Sequence, residues 1–215
     1  MKIIGVGCGP GMITEEGIRV LQSAKQVYGS LRAIELAAAY ILDADVHEIT
    51  DYKSLKTLPE SAVVLSTGDP LMAGLGYLPG EVISGISSLQ AAYAKLHIPW
   101  TNAAVVNAHG KNHAEAVLKA AADIKNGHSV FLIADPEFSV EALASALSPE
   151  TKIAVCSDLG YDTESVSVGT AEHPPKPASR LFVWFADTDF SFFYSGEKRN
   201  KNVLTGKWIR NWRCS

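Results

Sequence analysis

The residues best suited to chemistry lie in one run, Ser66-Thr67-Gly68-Asp69-Pro70-Leu71-Met72-Ala73-Gly74-Leu75-Gly76. Ser66 and Thr67 offer hydroxyl donors, Gly68 lets a ligand approach the main chain, and Asp69 can accept from hydroxyls or an amine. The run follows Ala62-Val63-Val64-Leu65, an apolar stretch that reads as a buried strand. A strand ending in hydroxyls, a glycine and a carboxylate has the form of a ligand loop at the carboxyl edge of a sheet. The same letters also make an ordinary type I or II turn around Pro70. Two other loops carry related chemistry. Gly7-Cys8-Gly9-Pro10-Gly11 closes the apolar run 2–7, and Ser84-Gly85-Ile86-Ser87-Ser88 opens a helix. Serines there cap the helix, and the free amides of its first turn can also meet a polar ligand.

The first glycine loop fits neither common phosphate signature. Gly5-x-Gly7 has Pro10 where a dinucleotide fold needs its third glycine, and Gly7-x-Gly9 has Met12 there. No Gly-Lys-Ser/Thr follows, so it is not a Walker loop either.

These loops must be held by α/β units. Residues 2–7 predict a buried strand, and Thr14 caps a helix with Glu15 and Glu16 in its first turn and Ile18, Leu21 and Ala24 on one face. A short strand at Val27-Tyr28, a helix from Ser30 to about Ala39, and a strand at 45–49 solvated on one side follow. After the 62–65 strand come a short strand at 81–83 and a helix from Ser88 to about His97, ended by Pro99. Residues 99–102 read as a boundary. Beyond it the pattern restarts: strand 104–107, helix 113–124, strand 129–133, helix 139–147, strand 152–156, then runs at 164–168 and 180–185. No helix separates those last strands, so they should be antiparallel. The expected organisation is two α/β domains, 1–100 and 101–189, followed by a tail at 190–215 rich in aromatics and basic residues.

Composition narrows the classes. The chain has 215 residues, 47% hydrophobic and 20% charged, which is ordinary for a soluble protein with a proper core. A net charge of −4 provides no basic field for nucleic acid or anionic membrane. No apolar run approaches the ~18–20 residues of a membrane span, and the amino terminus lacks a secretory layout. Cys8, Cys156 and Cys214 are few, odd in number and far apart, which argues against disulfides or structural zinc and fits a reducing cytoplasm.

The order Gly-x-Gly-Pro-Gly, Ser-Thr-Gly-Asp-Pro-Leu-x-x-Gly-x-Gly and Gly-Ile-Ser-Ser before a helix resembles the tetrapyrrole methylases, S-adenosylmethionine-dependent enzymes. The resemblance covers roughly residues 2–185, and the second motif is the most specific. Three segments look most like the branch that methylates C5 of cobalt-precorrin-7 in corrin ring synthesis. They are Tyr28-Gly29-Ser30-Leu31-Arg32-Ala33-Ile34-Glu35-Leu36, Leu96-His97-Ile98-Pro99-Trp100 and Asn107-Ala108-His109-Gly110-Lys111. Where the family usually has Pro-Gly-Ile-Ser, this chain has Ser84-Gly85-Ile86-Ser87, and its first loop is shorter.

The resemblance implies two α/β domains with S-adenosylmethionine in the cleft between them, held largely by main-chain contacts. Carried over residue by residue, the cofactor contacts are Pro10, Thr67, Gly68, Asp69, Met72, Ser87, Ser88, Ile133 and Gly160. The implied substrate is a flat corrinoid edged with carboxylates, for which Arg32 and Lys111 are the basic candidates. Methyl transfer to a ring carbon is an in-line displacement in which alignment alone can remove roughly 7–11 kcal/mol of barrier. It needs neither a metal nor a nucleophilic triad. His109 is the candidate base for the departing ring proton, and its spacing from His113 makes no metal set without a third ligand. The family's habit suggests a homodimer, with Phe190–Tyr194 as a contact, and a separate C15-methyltransferase/decarboxylase is the further candidate partner. The alternatives are a relative acting at another precorrin carbon or in diphthamide synthesis, and a non-catalytic cofactor-binding module.

Overall fold

The computed structural model describes residues 1–110 and 112–188. Two five-stranded sheets follow one another along the chain. The first contains β1 (Lys2–Gly5), β2 (Gln26–Gly29), β3 (Asp45–Glu48), β4 (Val63–Ser66) and β5 (Glu81–Ile83), in the order β3-β2-β4-β1-β5 and all parallel. β1 lies between β4 and β5, so Ile3 and Ile4 are fully buried on opposite faces. That position is why β1 reads as continuous apolar sequence.

Helices α1 (Glu15–Ser23) and α2 (Leu31–Ala37) cover one face, packing Leu21, Ala33 and Ala37 on Ile4, Val63 and Leu65. Thr14 caps α1 by accepting from the Gly17 N–H, as its position predicts. The other face is covered by Leu55, from a 3-10 turn at Ser54–Thr57, and by Leu75 and Leu78 from the segment between β4 and β5. β3 departs from its expected half-solvated pattern, since all four residues are exposed. It is an edge strand paired on one side alone, and Tyr28 of β2 stacks on its His47 at 4.7 Å.

The second sheet contains β6 (Ala103–Asn107), β7 (Ser129–Ile133), β8 (Lys152–Ser157), β9 (Ser165–Thr170) and β10 (Phe182–Asp187), in the order β6-β7-β10-β8-β9. β6 and β7 are parallel; β8 pairs antiparallel with β9 and β10, as the missing helices between these strands predict, and β10 also pairs antiparallel with β7.

Helix α3 (Ser88–Leu96) joins the two sheets. It starts at the edge of the first, but Leu89, Ala92, Tyr93 and Leu96 pack on Phe131, Ala154 and Phe185 of the second. Tyr93 meets Phe185 edge-on at 5.3 Å, and its hydroxyl pairs with Ser129 at 2.9 Å. Ser87 and Gln90 form a capping box at its start, and His97 ends it in a left-handed conformation (φ 59°). Helices α4 (His113–Lys125) and α5 (Val140–Ser145) pack on the opposite face of the second sheet, around Trp184 and Leu132. Among the described residues, no helix is long and apolar enough to cross a membrane. Lys111 and the tail contact expected at Phe190–Tyr194 lie outside the described residues.

Candidate functional site

Because β1, β4 and β5 are adjacent and parallel, their three following loops emerge side by side. The main chain then locks these loops together. Gly7 and Gly68 exchange two hydrogen bonds, with Gly68 N donating to Gly7 O at 2.7 Å and Gly7 N to Gly68 O at 3.3 Å. Cys8 N donates to Ile86 O at 3.0 Å. A Cβ on Gly85 would sit 2.4 Å from Gly68 O and 2.5 Å from Gly5 O, so only glycine lets the three strand ends approach this closely.

Asp69 lines the cleft beside this knot and also fastens it. Its Oδ1 accepts from Leu71 N (2.9 Å) and Met72 N (3.4 Å), and its Oδ2 accepts from Gly85 N (3.3 Å). Thus Asp69 turns its own loop and ties that loop to the start of the third. The carboxylate retains further lone pairs for a ligand.

The cleft in front of these loops has a volume of about 590 Å³, within the ~300–1,000 Å³ of small-molecule sites. Thr67, Gly68, Asp69, Met72 and Ser88 line it from the first-sheet side, and Ile133, His109 and Asn107 from the second. A Cβ on Gly68 (φ +70°) would have only Ser87 Cα near it, at 3.7 Å, so the main chain there is left open. Of the other sequence candidates, Ser87 is buried as the cap of α3, Pro10 is exposed at the tip of its loop, and Gly160 lies where the two domains meet.

Arg32 lines the cleft with its guanidinium already engaged. Nη2 donates to the Cys8 carbonyl, Nε donates to the Tyr161 hydroxyl at 3.1 Å, and the group lies 5.7 Å from the centre of the Tyr161 ring. The remaining N–H groups are available to a second partner.

The second wall depends on side chains. Asn107 Oδ1 accepts the His109 N–H at 3.0 Å, and Asp135 Oδ2 accepts the Gly110 N–H at 3.0 Å. His113 Nε2 lies 3.0 Å from Asp135 Oδ1 and 3.2 Å from Oδ2. The Gly110 N–H holds the Asp135 carboxyl below the usual range, burial opposes this, and the His113 and His109 rings add to the lowering. The His109 ring itself is exposed on the rim. Cys8 and Cys156 border the cleft but do not supply thiolates: burial raises the Cys8 thiol against the opposing Arg32 charge, and burial pushes Cys156 up to about 12. Among the described residues, no group of three His, Cys, Asp or Glu could hold a metal ion.

Residues 2–175 match the model of the family described as Tetrapyrrole (Corrin/Porphyrin) Methylases. This chain belongs to the tetrapyrrole methylases. It is 32% identical over 186 residues to a protein of Methanocaldococcus jannaschii described as a probable cobalt-precorrin-7 C(5)-methyltransferase, covering 76% of this chain and 86% of that one. In three dimensions it is similar to a cobalamin biosynthesis precorrin-6Y methylase of Archaeoglobus fulgidus, with a TM-score of 0.67, 24% identity and coverage of 88% and 98% of the two chains. It is also similar to the uroporphyrin-III C-methyltransferase of Thermus thermophilus complexed with S-adenosylhomocysteine, with a TM-score of 0.63, 17% identity and coverage of 86% and 96%. These likenesses carry the two-domain fold of the tetrapyrrole methylases.

In this member of the family, cleft residues that motif reading passes over are Tyr52, Tyr77 and Leu159, which come from irregular segments with no pattern to mark them. Asp135 had a signal, because Asp135-Pro136 follows β7 much as Asp69-Pro70 follows β4.

Proposed function

We propose that this chain is an S-adenosylmethionine-dependent methyltransferase that methylates C5 of cobalt-precorrin-7 in cobalamin biosynthesis. The observation that carries this reading is the cleft into which Thr67, Gly68, Asp69, Met72 and Ser88 converge opposite Ile133 and His109. The M. jannaschii relative's description supports the choice of ring carbon. The cleft suits such a donor. Gly68 leaves main chain bare, Thr67 and Ser88 offer hydroxyls, and Met72 and Ile133 offer apolar contact.

The bound donor supplies an electrophilic methyl group. The contribution of the chain is alignment, with the first wall fixing one reactant and the second wall facing the other. We assign His109 to take the proton that the ring carbon releases, and Arg32 and Lys111 to the substrate's carboxylates. Ser87, Pro10 and Gly160 act through the loops they shape.

Calorimetric titration with S-adenosylhomocysteine tests the cofactor assignment, with binding expected at micromolar ligand; no binding at millimolar ligand overturns it. Incubation with cobalt-precorrin-7 and the donor should add one methyl by mass, located at C5 by NMR. A methyl at another carbon would assign the chain to a different step.

A further inference from the structure

The glycine loop after β1 is anchored on the second domain as well as the first. Gly9 packs so closely against the Leu159-Gly160 turn that a Cβ on it would lie 2.4 Å from Leu159 O and 2.8 Å from Gly160 Cα. Gly160 permits this by taking a left-handed conformation (φ +83°), in which a Cβ of its own would meet Met12 Cε at 2.6 Å. Glu164 holds the turn from behind. Its Oε2 accepts the Gly160 N–H at 2.9 Å, and its Oε1 meets Lys95 Nζ of α3 at 2.6 Å. The Glu164 N–H donates in turn to Tyr161 O at 2.9 Å. Tyr161 then accepts from Arg32, whose other arm holds the Cys8 carbonyl.

The connections form a closed circuit from Cys8 through Arg32, Tyr161, Glu164 and Gly160 back to Gly9. It crosses between the domains twice, at Arg32–Tyr161 and at Gly9–Gly160. The Glu164 side chain ties two elements, the turn and α3, while its main-chain N–H holds Tyr161, which Arg32 of α2 contacts. The Glu164 side chain is only 19% exposed, so its two acceptors work in partial shelter from water.

We propose that Glu164 is a positioning residue that sets the width of the cleft by holding the Gly160 turn, and through it the glycine loop, in the geometry that receives the methyl donor. Its effect on donor binding rests on the function proposed above, whereas its effect on the glycine loop does not.

The test compares Glu164→Ala, Glu164→Gln and Lys95→Met by hydrogen exchange without ligand and by calorimetry with S-adenosylhomocysteine. The Gln side chain retains an oxygen for the Gly160 N–H, and Lys95→Met removes only the ion pair. Amides of the Gly7–Gly17 segment should exchange about tenfold faster in Glu164→Ala and near the wild-type rate in the other two. Affinity for S-adenosylhomocysteine should fall about tenfold in Glu164→Ala alone. Unchanged exchange in Glu164→Ala overturns the proposal. Equal losses in Glu164→Ala and Glu164→Gln also overturn it, because charge and not the turn would then be responsible. If wild type binds no S-adenosylhomocysteine while exchange follows the expected pattern, the positioning role of Glu164 stands and the donor reading falls.

Discussion

Asp69-Pro70 follows β4 and Asp135-Pro136 follows β7, so the same pair of residues turns each wall of the cleft. Around Asp69 the carboxylate accepts main-chain N–H groups, from Leu71, Met72 and Gly85, and the glycine at 85 leaves no room for a side chain. Around Asp135 one oxygen takes the Gly110 N–H while the carboxylate also faces the His113 imidazole, and a Cβ on Gly110 would meet nothing within 4 Å. The first corner is a close-packed knot of backbone, and the second is an open loop held by a carboxylate that faces an imidazole. A wall built of main chain offers the same geometry whatever side chains surround it, which suits a ligand common to many reactions. A wall built of side chains can be adjusted to one substrate.

The severest way to break this contrast is Gly85→Ala. Its new methyl would lie 2.4 Å from Gly68 O, so stability should fall by about 3 kcal/mol and S-adenosylhomocysteine binding should be lost. Gly110→Ala should cost only about 1 kcal/mol, for its positive φ alone. Thermal unfolding of the two variants side by side reads the difference, and equal shifts would erase the distinction between the walls.

Asp69→Ala comes next. Freeing the Leu71, Met72 and Gly85 amides should weaken S-adenosylhomocysteine about thirtyfold by calorimetry. Binding like wild type would reduce the residue to a simple turn former. On the second wall, His109→Ala should lower turnover about tenfold in steady-state assays with donor affinity unchanged, and full turnover would make it a bystander.

Asp135→Asn should have the smallest effect and is recognised by its pH dependence. A carboxyl held low in the folded protein adds stability that is fully present above its unfolded value, near 3.8, and is lost as pH falls through the folded value. The variant should therefore melt a few degrees below wild type at pH 7, with the gap closing below pH 3.8. A gap that did not narrow at all as the pH falls below 3.8 would remove the carboxylate from the account.

Local elements were open to reading from sequence. The runs 81–83 and 129–133 coincide with β5 and β7, both being of strand length and too short for a helix, and β7 is buried over Ser129–Leu132. The cap residues Thr14, Ser30 and Ser87 are all in place, since capping depends on a single short-range hydrogen bond. What could not be read depends on distant pairs. The apolar face of α3 belongs to the second sheet, yet nothing in Leu89 or Tyr93 names that partner. Asp69 was legible as a polar group at a strand end but not as a fastener of Gly85, which requires the parallel pairing of β1 with both β4 and β5. The Gly9–Gly160 crossing is likewise hidden, because two glycines far apart in sequence carry no mutual signature.

The place of β10 between β7 and β8 bears on how the chain is made. Ribosomes deliver polypeptide from the amino end at ~5–20 residues/s, so β7 and β8 both emerge before Phe182–Asp187, the strand that fills the place between them. For roughly 1–5 s after Ser157 appears, both facing edges are bare, and bare strand edges invite pairing with a neighbouring chain. The centre of the second domain is thus its last part to close, and during synthesis the hazard is greatest where the finished protein is most buried.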